Sequence, residues 1–82
     1  MGDAKTLLDH TDKLHTTEMG MTRIRKNLKI DVDDVVEYCK NKILKEDCTI
    51  YRKGKNWYCE IDHTRITVNS YSYTIITAHI VS

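Results

Sequence analysis

Apolar positions in the N-terminal half of the chain recur at spacings of three and four, and from Cys48 onward they alternate with polar ones. The first rhythm belongs to amphipathic helices and the second to half-buried strands. A first helix is expected from Asp3 to about Leu14, with Asp3 as its cap and Leu7, Leu8 and Leu14 as a narrow apolar stripe. A second runs from around Thr17 to Leu28 and buries Met21, Ile24 and Leu28. Glu18 suits its positive N-terminal end, and Arg25, Lys26 and Lys29 its C-terminal end. Gly20 falls in the first turn, where it costs little or lets another backbone approach closely.

The third helix has the fullest signature and is expected over 32–45. Asp31 fits its N-cap, Asp34 follows three residues later as a capping-box variant, and Ile30 and Val35 occupy the two positions of a hydrophobic staple. Val35, Val36, Cys39, Ile43 and Leu44 then recur at helical spacing, and the periodicity stops near Glu46.

Four β-rich runs follow. Cys48–Arg52 and Asn56–Ile61 flank Lys53-Gly54-Lys55, a hairpin loop with glycine available for positive φ. Trp57, Cys59 and Ile61 alternate onto one face, leaving Tyr58 and Glu60 on the other. A turn at Asp62-His63 leads to Arg65–Asn69, and Ser70-Tyr71-Ser72 leads to a last strand from Tyr73 to about Ile80. Two or three N-terminal helices packed on one face of a four-stranded antiparallel sheet make an α+β fold, a single domain over residues 1–82.

Strict alternation in the last strand places Thr74, Ile76, Ala78 and Ile80 under the helices, and Tyr73, Ile75, Thr77 and His79 on the open face. The expected core is Ile24, Leu28, Val35, Cys39, Ile43, Trp57, Ile66, Val68, Ile76 and Ala78.

Composition narrows the function classes. Thirteen basic and twelve acidic side chains leave the chain near neutral, so any attraction for phosphate has to come from the distribution of charge. Arg23, Arg25, Lys26 and Lys29 form one basic cluster, Arg52, Lys53 and Lys55 another, and Asp31, Asp33, Asp34 and Glu37 an acidic one. Cys39, Cys48 and Cys59 are an odd number with no close pair, and with no signal peptide they read as free thiols in a reducing cytoplasm. They have no zinc-ligand spacing, and no cofactor or membrane motif is present. Three isolated glycines cannot make a phosphate loop, and no nucleophile elbow or Cys–His motif occurs.

Two stretches carry a resemblance: Leu14-His-Thr-Thr-Glu-Met-Gly-Met-Thr-Arg-Ile-Arg-Lys-Asn-Leu28 with Asp-Val-Val-Glu at 34–37, and Ile66-Thr-Val-Asn-Ser-Tyr-Ser-Tyr-Thr-Ile-Ile-Thr-Ala-His79. Together they resemble a family of short bacterial and mobile-element proteins known as a domain of unknown function, over nearly the whole chain. The order of elements is also distantly similar to the barnase–EndoU–colicin–RelE-like nucleases, in which N-terminal helices bearing a histidine and an arginine pack on a curved antiparallel sheet. That similarity implies His15 and Arg23 in the helical part, and Thr77 and His79 on the last strand, as a catalytic set. The strands carry only Arg52 and Arg65 as arginines, fewer cations than ribosome-dependent toxins of that kind display.

Metal-independent RNA cleavage needs a base for the 2′-hydroxyl, an acid for the leaving 5′-oxygen and positive charge beside the phosphorane. Imidazole does either proton task near neutral pH. The expectation is therefore His15 and His79 as the acid–base pair, Arg23 on the phosphate and Thr77 positioning it, with Arg52, Lys55, Tyr71 and Tyr73 binding substrate. Each has a plain structural role open to it as well: His15 at a helix boundary, His79 on a strand surface, Arg23 in an ion pair with Glu18 or Asp residues, and Thr77 as a β-former. The partner is single-stranded RNA on this reading. On the competing one it is another protein, bound without catalysis, with the acidic stretch Asp31–Glu37 suited to a basic surface and a nucleic-acid enzyme as the target.

Overall fold

In the computed structural model, which describes residues 3–81 apart from the side chain of Asp3, three helices precede a four-stranded antiparallel sheet. The helices are α1 (Asp3–Asp9), α2 (Glu18–Leu28) and α3 (Val35–Ile43). The strands are β1 (Thr49–Lys53), β2 (Asn56–Ile61), β3 (Thr64–Asn69) and β4 (Ile75–Ile80), paired in sequential order. The α+β arrangement expected from the change of period is the one observed. The cap expected at Asp3 lies outside the described residues.

The first helix is shorter than its apolar stripe suggests. It stops at Asp9, the ring of His10 takes up the Thr6 carbonyl at 2.8 Å, and a single 3-10 turn at Thr11–Lys13 carries the chain into an extended Leu14. The helix has to end there because His15 lies alongside the start of β4 as a parallel bridge to Thr74. Its N–H donates to the Tyr73 carbonyl at 3.2 Å, and its carbonyl accepts from the Ile75 N–H at 2.7 Å. His15 is thus a one-residue fifth strand that covers the edge of β4.

Helix α2 begins at a Thr17 cap, whose hydroxyl accepts from the Gly20 N–H at 3.0 Å. A Cβ at position 20 would collide with the Thr16 hydroxyl, which itself donates to the Ile75 carbonyl at 2.8 Å. Glycine is therefore required for α2 to start this close to β4. At the other end Arg25 donates to the carbonyls of Val32 and Asp33, at 2.9 and 2.8 Å. Those carbonyls are held in the loop, so α3 starts later than the expected position 32. Asp34, not Asp31, is the N-cap, accepting from the Glu37 N–H at 2.9 Å. Leu44 falls beyond the last turn and is exposed.

Ile24 and Leu28 from α2, Val35, Cys39 and Ile43 from α3, and Leu7 and Leu14 from the N-terminal segment meet Trp57, Cys59, Ile66, Val68, Ile75 and Ala78 of the sheet in one core. Burying a side chain of this size contributes roughly 1.5–3 kcal/mol. Trp57 is 1% exposed and its indole N–H has no hydrogen-bond partner among the described residues. That deficit costs about 1–3 kcal/mol and offsets part of the gain from burying the ring.

The expected faces of the last strand need one correction. Between Thr67 and Val68 the β3–β4 register shifts: Thr67 faces Thr77, and Val68 faces Ile75. Ile76 is the extra residue of this bulge. Ile75 is consequently buried at 0% exposure and Ile76 is 37% exposed, the reverse of strict alternation, while Ala78 stays in the core as expected. Ile80, also expected under the helices, is exposed, and Tyr73 is half-buried against the core rather than on the open face.

Two links close the other hairpins. Gly54 takes φ 62° between β1 and β2, whereas Asp62 and His63 take φ 52° and 60° between β2 and β3 without glycine. Two consecutive left-handed residues make the twist-compatible hairpin link. Asp62 is held there by Lys42 of α3 at 2.9 Å, which keeps its carboxyl below the ordinary carboxylate range.

The bulged register ranks two isoleucines. Ile66→Ala should lower stability by about 2–5 kcal/mol and Ile76→Ala by no more than about 1 kcal/mol in urea unfolding. The opposite ranking would refute the register.

Candidate nucleic-acid interface

Antiparallel pairing arranges the sheet face opposite the core in three cross-strand rows. The middle row is Tyr51, Tyr58, Thr67 and Thr77, the second is Thr49, Glu60, Arg65 and His79, and the third is Lys53, Asn56 and Asn69. Most of these side chains are half-buried or exposed, as expected of a face without a helix over it. Thr67, flanked by Tyr58 and Thr77, is the exception at 7% exposure.

In the middle row the Tyr51 and Tyr58 rings stack, with centroids 5.5 Å apart and planes 26° from parallel. The next row is an electrostatic chain. Glu60 accepts from the Tyr51 hydroxyl at 2.8 Å and from Arg65 at 2.9 Å. The Tyr51 bond first and the Arg65 bond second hold the Glu60 carboxyl below its ordinary range. The pair is too exposed to contribute much to stability, but it fixes the Tyr51 ring and the Arg65 guanidinium on the surface. His79 stands across from Arg65.

On the β4 side the face continues onto α2. Asn27 donates to the Thr77 hydroxyl at 3.4 Å, and Asn27 belongs to an open groove with Glu18, Met19, Thr22, Arg23 and Lys26. All six groove residues belong to α2, so Arg23 and Lys26 lie on the helix surface that adjoins Asn27. At the end of the sheet the Ser70 N–H bonds the Lys55 carbonyl at 2.8 Å, which brings Lys55 and the loop bearing the 73% exposed Tyr71 to the Lys53 row.

Of the expected site residues, Arg23, Thr77 and His79 thus border the outer face, and Lys55 and Tyr71 lie at its end. Three do not. Arg52 faces the helix side with its guanidinium 5.9 Å from the Trp57 ring centroid. Tyr73, at φ 58°, packs its ring against Trp57 and His10. His15 lies at the Thr74 end of β4, five residues from His79, a separation on the order of 15 Å at strand rise. The expected His15–His79 couple is not brought together. The stacked Tyr51 and Tyr58 are not among the expected site residues, although the alternation of Trp57, Cys59 and Ile61 already sends Tyr58 outward.

His15 sits instead in a relay of its own. Its Nδ1 lies 2.9 Å from the Lys13 carbonyl and its Nε2 3.1 Å from the Thr74 hydroxyl. The Thr74 hydroxyl is 2.7 Å from that of Ser72, which reaches Asn69 Oδ1 at 3.2 Å. A carbonyl only accepts, so Nδ1 carries the proton; in neutral His15 the bare Nε2 accepts from Thr74, and the single Ser72 hydroxyl proton then serves either Thr74 or Asn69 Oδ1. With both backbone groups on β4 and both ring nitrogens engaged, His15 anchors the N-terminal segment to the sheet.

Among the described residues no group of three or more His, Cys, Asp or Glu side chains is placed to hold a metal ion, and no helix is long and apolar enough to cross a membrane.

The assignment of His15 is testable by imidazole ¹⁵N NMR. The neutral ring should show the Nδ1–H tautomer, and Thr74→Val, which removes the hydroxyl shared by His15 and Ser72, should lower stability by about 0.5–1.5 kcal/mol for each hydrogen bond lost. An Nε2–H tautomer would reverse the relay as drawn.

No curated protein and no solved structure matches the chain. The model of one family, described as a protein of unknown function (DUF3781), matches residues 8–79 and so spans all of α2, α3 and the first three strands with most of β4. The chain belongs to the DUF3781 family.

Proposed function

We propose that this domain binds single-stranded RNA across the outer face of its sheet. The observation that carries the reading is the stacked, outward-facing Tyr51–Tyr58 pair. It lies on a face that also presents Arg65, Thr77 and His79 and is bounded by Arg23 and Lys26 on one side and by Lys53 and Lys55 at the end. Bases stack on exposed aromatic rings while cations beside them follow the phosphates. The resemblance of the element order to barnase–EndoU–colicin–RelE-like nucleases supports RNA as the class of ligand.

The reading is of binding. A general acid and a general base for one phosphodiester must both lie within hydrogen-bond reach of it, whereas the backbones of His15 and His79 are anchored on the order of 15 Å apart along β4. Sequence near-neutrality and the Glu60–Arg65 pair also set a modest affinity. Three or four phosphate contacts give a log–log salt slope of about −2 to −3 for a single strand.

Fluorescence anisotropy of the full chain with a labelled oligoribonucleotide tests the proposal. Tyr51→Ala and Tyr58→Ala should each weaken binding roughly 5- to 150-fold, the range for loss of a stacked base. Arg23→Ala should reduce the salt slope by about 0.7, and Tyr73→Ala should act on stability more than on the intrinsic affinity of the folded fraction. Absence of binding at low salt, or insensitivity to both tyrosine substitutions, would refute the RNA reading and favour a protein partner.

A further inference from the structure

Cys48 and Cys59 are separated by ten intervening residues, and the spacing gives no reason to connect them. The fold does. Ile50 lies opposite Cys59 in the β1–β2 ladder, and Cys48, two residues before Ile50, directs its side chain toward the same face. Cys48 packs against the core cluster that contains Cys59 and lies one diagonal step from it across the β1–β2 ladder. Their exposures differ: Cys59 is wholly enclosed and Cys48 is half-exposed. The third cysteine, Cys39 of α3, is buried in the same core, and burial pushes its thiol up to about 12.

The contact divides the labour between the two sulfurs. A hydrogen bond from Cys59 holds Cys48 below the ordinary thiol value, against partial burial and the nearby carboxylates of Asp47 and Asp62. The same bond, with burial, raises Cys59. Thiolate character and access, which together govern reaction with oxidants, therefore coincide at Cys48. Cys48 also precedes β1 in the link from α3, its N–H bonded to the Lys45 carbonyl at 3.1 Å. A short link, not a paired strand, thus absorbs the movement from thiol contact to a bond of about 2.05 Å.

We propose that Cys48 and Cys59 form a hydroperoxide-reactive pair, in which Cys48 is the oxidised thiol and Cys59 resolves it to an intramolecular disulfide. The Cys48 sulfur attacks a peroxide oxygen; the S–O bond forms, the O–O bond breaks, and the Cys48 proton leaves on the departing oxygen. The Cys59 sulfur then attacks the Cys48 sulfur; the S–S bond forms, the S–O bond breaks, and the hydroxyl departs with the Cys59 proton as water. The two thiols lose two electrons and two protons in all, and hydrogen peroxide is reduced to two waters. The pair lies on the core side of the sheet and its chemistry does not depend on the RNA reading.

The experiment treats the full chain with equimolar hydrogen peroxide, blocks residual thiols under denaturing conditions and maps peptides by mass without reduction. A mass loss of ~2 Da, a linked Cys48–Cys59 peptide, an alkylated Cys39 and reversal by dithiothreitol are the expected results. In Cys59→Ala the resolving thiol is gone, and a dimedone adduct at Cys48 should accumulate; in Cys48→Ser the mass loss should vanish. Circular dichroism selects folded variants. Because the wild-type result needs no substitution, failure of a variant to fold leaves the test intact. Oxidation of wild type that stops at sulfinic acid on Cys48, a disulfide through Cys39, or no reaction would each overturn the proposal.

Discussion

Where β3 meets β4 the two strands fall out of step by one residue, and most of the domain's arrangement follows from how that misfit is held. Ile75 and Ala78, three residues apart, both turn toward the helices, with Ile76 pushed outward between them. The misfit is stable because the free edge of β4 is occupied at the same level. His15 exchanges backbone hydrogen bonds with Tyr73 and Ile75, and the Thr16 hydroxyl takes the Ile75 carbonyl. A bulge leaves backbone groups without ladder partners, and here neighbouring groups on the open edge are satisfied from a segment almost sixty residues earlier in the chain. Gly20 and the short α1 are consequences: one leaves room for Thr16, the other releases the chain in time for His15 to extend.

The same pinning decides where chemistry can lie. A histidine whose backbone is committed to a strand edge, and whose ring spans a carbonyl and a hydroxyl, holds two parts of the fold together. His79, at the far end of β4, is instead free to join Arg65 and the tyrosine row on the outer face. The domain thereby separates the imidazole that pins its strand edge from the one on its outer face.

The two faces of the sheet carry different kinds of contact. On the helix side, dispersion and burial dominate around Trp57, Ile66 and Cys59, and the unpartnered indole N–H of Trp57 is a polar cost set against them. On the outer side, Tyr51, Glu60 and Arg65 form a hydrogen-bonded chain that orients aromatic and cationic groups while adding little stability. The cysteine pair lies at the margin between these regimes, with Cys59 in the dry core and Cys48 at its rim.

Local rules account for much of what the sequence by itself determined. The change from helical to alternating periodicity fixed the α+β order, and positive-φ capacity at Gly54 and the polar Asp62-His63 pair marked the hairpins. Alternation in β2 and β3 assigned Trp57, Ile66 and Val68 to the core, because these two strands pair in step with each other. Other features were decided only by tertiary contact. Arg25 delayed the start of α3 by taking two loop carbonyls, so the cap moved from Asp31 to Asp34. The bulge reversed Ile75 and Ile76, since register is a property of two strands and cannot be read from one. The parting of His15 from His79 and the meeting of Cys48 with Cys59 have the same origin: helical and strand periods specify which face a side chain takes, and only the packed chain specifies what stands across from it.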